Sequence, residues 1–200
     1  MKDVAARTSD IDAALKLEPD HRDALALKAD LLEEKGDWTG SAALLSKALA
    51  DAPESQLFVR RGIALYKLGR TAEAEKDFKA AVAAEPGARI WNNLCWAKAT
   101  AGIALESGLE DCNQALRLAP GNRSYLDSRG LVLLRLGKID AAIADYDQAL
   151  ADGPFSSALL GRSLALAKKG DSARSASDRS AAEKMDPDVV ERFRGYGLSF

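Results

Sequence analysis

The stretch SQLFVRRGIALYKLGRTAEAEKDFKAAVAAEP, residues 55–86, reads as two short helices and two turns. Apolar and small residues recur at helical spacing on both sides of Gly69: Phe58, Gly62 and Leu65 before it, Ala74, Phe78 and Ala81 after it. Glycine tolerates φ > 0, so Gly69 closes the first helix ahead of a tight turn. Pro86 has no N–H to donate and ends the second.

The same marks recur along the whole chain. All six prolines, Pro19, Pro53, Pro86, Pro120, Pro154 and Pro187, are spaced by 34, 33, 34, 34 and 33 residues. Five residues before each stands an alanine: Ala14, Ala48, Ala81, Ala115, Ala149 and Ala182. One punctuating glycine falls in each interval, at Gly36, Gly69, Gly102, Gly137 and Gly170. Small residues recur at Ala29, Gly62, Cys95, Gly130 and Ser163 on the first helix of each repeat, and at Ser41, Ala74, Gly108, Ala142 and Ser175 on the second. Such a unit cannot bury its apolar face alone, so neighbours must stack.

The pattern carried by Phe58, Gly62, Leu65, Gly69, Ala74, Phe78, Ala81 and Pro86 resembles the tetratricopeptide repeat (TPR) family, over nearly the whole chain. The resemblance implies an all-α fold, an α-solenoid in which antiparallel helix pairs stack as a right-handed superhelix with a concave inner face. We expect one array over residues 1–200: a half-repeat at 1–21, five full repeats at 22–54, 55–87, 88–121, 122–155 and 156–188, and a cap and tail at 189–200. Counting the half-repeat as the first, these are repeats two to six. First helices are expected near 22–35, 55–68, 88–101, 122–136 and 156–169, and second helices near 38–51, 71–84, 105–118, 138–152 and 171–185. A lone helix near 3–17 precedes them and a short capping helix near 187–194 follows.

The half-repeat start reads either as a fragment of a longer array or as a natural half-repeat cap. The apolar tail of Tyr196, Leu198 and Phe200 is either a frayed end or a segment that packs back on the last repeat or on a neighbour. Repeat four is irregular. Its Gly102-to-Pro120 spacing is one residue longer than the others, and Lys98 replaces the leucine found at Leu32, Leu65, Leu133 and Leu166. Trp96 lies about 140° around the helix from Trp91, so the two do not share a face.

Composition narrows the function. The 28 basic and 30 acidic residues leave a net charge of −2, with no surplus for a polyanion, so nucleic acid is not an expected partner. No apolar run is long enough to span a bilayer, and membrane insertion is not expected. One histidine, His21, leaves no triad or metal cluster, and no phosphate-binding glycine loop is present, so we expect no enzyme activity and no cofactor. Cys95 and Cys112 occupy facing positions in repeat four. They read either as buried free thiols or as a disulfide, which requires close Cα atoms and an oxidising compartment. The default compartment is the cytoplasm, or the periplasm or exterior if an upstream signal has been removed and the pair is oxidised.

Arg61, Arg129 and Arg162 share one register position on first helices, and Asp77, Asp145 and Asp178 share one on second helices. These are expected to pair, setting register more than stability. In the resembled family, first helices line the concave face. The resemblance therefore places partner-binding positions at Arg60, Ile63, Tyr66 and Lys67 in repeat three, and at Arg89, Asn92, Asn93 and Trp96 in repeat four. Asp127, Leu131 and Arg135 continue them in repeat five. Asn93 matches one residue of the two-carboxylate clamp of chaperone-binding members, but Val59, Ile63, Ser124 and Ser128 replace its other residues, which disfavours capture of a chaperone C-terminus. The leading expectation is a scaffold that binds a peptide or helix of a protein partner. The alternatives are a regulatory or substrate-presenting region of a larger enzyme, and a module that self-associates through its exposed ends.

Overall fold

The computed structural model describes residues 2–51 and 53–199; Phe200, named above with the tail, lies outside them. Twelve helices and no strand occur among the described residues. The lone first helix is α1 (Lys2–Leu17). First helices are α2 (Arg22–Glu34), α4 (Ser55–Lys67), α6 (Ala88–Ala101), α8 (Arg123–Arg135) and α10 (Ser156–Lys169). Second helices are α3 (Trp38–Asp51), α5 (Thr71–Ala84), α7 (Leu105–Leu118), α9 (Ile139–Ala149) and α11 (Ser172–Met185), and α12 (Val189–Gly195) closes the chain. The fold is an all-α helical repeat solenoid.

The helix ends follow the punctuation. Gly36, Gly69, Gly102, Gly137 and Gly170 take φ between +66° and +89°, the left-handed turn that releases each first helix into its partner. The second helices stop just short of each proline. Several helices fall one or two residues short of expectation, and α9 falls furthest short, ending at Ala149, because residues 150–154 form a looser turn around Gly153. His21, the lone histidine, caps α2 by accepting from the Ala24 amide at 3.3 Å.

The extra residue of repeat four is absorbed between α6 and α7. Ile103 is buried there, and Ala104 takes φ +44°, a left-handed conformation disfavoured for alanine.

The chain forms two compact bodies, Met1–Pro86 and Gly87–Phe200. In the first, α1 packs on α2, α2 on α3, α3 on α4 and α4 on α5. In the second, α8 packs on α6, α7, α9 and α10, while α12 lies against α10 and α11. The alanines that precede the prolines show why size is restricted: Ala48, Ala81, Ala115, Ala149 and Ala182 are all fully buried. The small residues of the first helices serve large neighbours. A Cβ on Gly62 would lie 2.4 Å from the Phe78 ring, and one on Gly161 would lie 2.4 Å from Tyr146.

The expected arginine–aspartate pairs form in all three repeats. Arg61 holds Asp77 through two bonds of 2.7 Å. Arg129 holds Asp145 at 2.6 and 2.7 Å, and Arg162 holds Asp178 at 2.7 and 2.8 Å. Each arginine also reaches the second helix of the preceding repeat: Arg61 reaches Ser46, Arg129 Asn113 and Arg162 Asp147. One side chain thereby ties its own helix pair to the previous one. The aspartates are buried, so losing an arginine would strand a buried carboxylate. The carboxylate bonds also push all three guanidinium pKa values up.

Candidate functional site

In the N-terminal body, the expected residues on α4 divide. Arg60 does not stand free: its guanidinium reaches Asp30 at 2.6 Å, Glu33 at 3.0 Å and the Ala26 carbonyl at 3.2 Å. The charge of Arg60 is thus partly neutralised by carboxylates of α2. Ile63 and Tyr66 are half-buried and Lys67 is exposed. A cavity of about 500 Å³ in this body lies elsewhere, between α3, α4 and α5 around Arg61 and Asp77, and none of the expected site residues lines it.

In the C-terminal body, Asn92, Asn93 and Trp96 from α6 and Asp127 from α8 line one cavity of about 420 Å³, with Ser157 and Tyr196. Arg89, one turn before Asn93, is exposed. Asp127 is only 7% exposed and accepts one hydrogen bond, from Ser157 Oγ at 2.6 Å. Burial pushes its carboxyl up to about 6, with the serine bond opposing. The Asn92 Oδ1 is buried with no hydrogen-bond partner among the described residues.

Two expected positions are corrected. Leu131 is 1% exposed and belongs to the core, out of reach of a groove ligand. Arg135 is half-buried and donates to the Tyr196 carbonyl, so it holds the C-terminal segment in place of a partner. Burial lowers its pKa from the ordinary arginine value.

The tail is therefore not a frayed end. Tyr196 meets Trp96 edge to face, with ring centroids 5.9 Å apart, and Phe193 is buried in the core. Val190, Phe193 and Leu198 close over Leu160 and Leu164 of α10. Sequence reasoning did not find Ser157 or Phe193 as parts of this site. The signal for the tail was present in the apolar Tyr196 and Leu198, but not the place where they dock.

Cys95 and Cys112 form a disulfide between α6 and α7, with Cα atoms 5.2 Å apart and both residues fully buried. The free-thiol reading is set aside by this geometry. Among the described residues no helix is long and apolar enough to cross a membrane, and no cluster of metal-binding side chains occurs.

A family model for the tetratricopeptide repeat matches residues 9–55, 59–123 and 128–189. The chain belongs to the tetratricopeptide repeat family. Solved TPR structures share the fold. A thermophilic TPR protein of Thermus thermophilus, TTC0263, aligns with a TM-score of 0.64 at 21% identity, over 88% of this chain and 97% of that one. A TPR protein from Parabacteroides merdae gives 0.72 at 17% identity, over 98% and 80%. YrrB, described as a TPR protein with an unusual peptide-binding site, gives 0.52 at 17% identity, over 94% and 98%. Among curated proteins, FlbA of Caulobacter vibrioides is 38% identical over 88 residues, which is 44% of this chain and 15% of that protein. TPR repeats generally mediate protein–protein interaction, and TPR proteins are typically non-enzymatic scaffolds.

Proposed function

We propose that this TPR array is a non-enzymatic scaffold that binds a peptide or helix of a protein partner on the face built by its first helices. One observation carries this reading: in the C-terminal body that face already accommodates a helix. The chain's own α12 and tail lie there, with Tyr196 against Trp96 and Phe193 over Leu160 and Leu164. A surface that seats an aromatic helix in cis has the shape and chemistry to seat one in trans. Asn92 and Asn93 beside it supply amide donors and acceptors for a backbone. The peptide-binding site named for YrrB supports the reading by analogy of fold.

The test is a pull-down from lysate of the source organism, comparing the native chain with an Asn92→Ala/Asn93→Ala/Trp96→Ala variant. A protein partner lost from the variant, with helical content unchanged, is the expected result. Trp96→Ala alone should weaken that partner by about 2 kcal/mol. Equal recovery by both chains would move the binding surface away from this face.

A further inference from the structure

The cavity beside Trp96 is more polar than helix docking requires. Its wall holds a buried carboxylate, Asp127, whose Oδ2 accepts from Ser157 Oγ at 2.6 Å, while among the described residues no hydrogen bond reaches its Oδ1. It also holds the buried, unpartnered acceptor Asn92 Oδ1. Ser128 Oγ, buried in the same wall, gives its proton to the Ser124 carbonyl at 3.0 Å and keeps its lone pairs for a donor. Three acceptors thus line one space, and Trp96 and Tyr196 add aromatic rings. Arg192, the cation at the rim, is paired with Asp186.

A buried acceptor without a donor, as Asn92 Oδ1 is, is costly, and the cost is relieved by a ligand that brings donors. A carboxylate bordered by aromatic rings favours a cation. The choice between cations follows from the serine. With Ser157 on Oδ2, a guanidinium fork would have to share that oxygen with the serine, whereas a single ammonium can use Oδ1 alone. An ammonium is a point charge with three donors, which matches one carboxylate oxygen, one amide oxygen and one hydroxyl.

We propose that this cavity is a receptor for a single alkylammonium group, presented as a lysine side chain of the partner segment. The proposal rests on the binding reading above and assigns the partner's chemistry at this point of the surface.

The test is titration of the full chain, followed by the indole N–H signal of Trp96, which a Trp96→Phe variant identifies. Three probes are compared: the Nα-acetyl N-methylamides of lysine, norleucine and arginine. The expected result is a saturable shift with the lysine probe, with the norleucine and arginine probes at least tenfold weaker. Asp127→Asn, which keeps the shape of the side chain, should weaken the lysine response tenfold or more without loss of helical signal. Asn92→Leu serves as a second variant, with a smaller loss expected.

Equal response to norleucine would make the cavity an apolar slot and overturn the proposal, as would a preference for arginine. No saturable response to lysine, or an unchanged response in both variants, would overturn it as well. The pull-down is read separately. A partner lost from the Asn92/Asn93/Trp96 variant but retained by Asp127→Asn leaves the scaffold reading standing and removes the ammonium site.

Discussion

Lys98 on α6 places its ammonium 2.8 Å from the carboxylate of Asp111 on α7, with both side chains buried. Asp111 stands at the register position of Asp77, Asp145 and Asp178, but the arginine that faces those is replaced here by Leu94. Lys98, one helical turn later, supplies the missing cation and also donates to Ser107 at 2.8 Å. The two departures of repeat four are thus one exchange: leucine for arginine at one position and lysine for leucine at the next turn. Lys98→Leu restores the common residue yet strands a buried carboxylate, so it should cost about 3 kcal/mol. Adding Leu94→Arg should recover much of that loss. Urea denaturation of the single and double variants measures the coupling; a neutral Lys98→Leu would show that the pair adds nothing.

The helix boundaries were legible because glycine and proline act locally: each sets φ or removes a donor whatever surrounds it. The Arg61, Arg129 and Arg162 pairs were legible because register places both partners. The Lys98–Asp111 pair was hidden because each departure, read alone, resembles a lost contact. The fate of Arg60 could not be read, since Asp30 and Glu33 are as close in space as they are only once α2 and α4 have packed. Leu131 and Arg135 were misplaced for a related reason. The docking of Tyr196, 61 residues beyond Arg135, is a tertiary event with no local signal.

The Cys95–Cys112 disulfide closes a short loop, with a sequence separation of 17, inside the C-terminal body. Constraining a loop of this length in the unfolded chain contributes roughly 3 kcal/mol. Denaturation with and without a thiol reductant should show a drop of that order, and Cys95→Ala/Cys112→Ala should match the reduced protein. Two thiols titratable in the freshly denatured, unreduced chain would contradict the bridge.

Asp127 makes stability depend on pH in the reverse of the usual carboxylate sense. Its folded pKa, about 6, lies above the ordinary aspartate value because burial disfavours the charge. Between that value and the unfolded one, the native chain holds a proton that the unfolded chain has released. Stability from this group is therefore greatest below about pH 4, falls as pH rises to about 6, and stays low above it. The loss amounts to roughly 3 kcal/mol. Asp127→Asn should raise the urea midpoint at about pH 7 and leave it nearly unchanged at about pH 4, where the native group is already neutral. Equal effects at both pH values would assign the gain to packing.

Ala104 holds the strained turn that the extra residue of repeat four creates. At φ +44° its Cβ crowds the following carbonyl, which costs an alanine roughly 1–2 kcal/mol, whereas glycine is free of the penalty. Glycine also loosens the unfolded chain, so Ala104→Gly should stabilise the protein by a net ~0.5–1 kcal/mol. Ala104→Asn separates the two contributions, because asparagine tolerates the left-handed region without the same gain in chain entropy. It should stabilise as well. Thermal melts of both variants beside the native chain provide the measurement. If both lower the melting temperature, the alanine side chain contributes packing in this turn that outweighs its backbone strain.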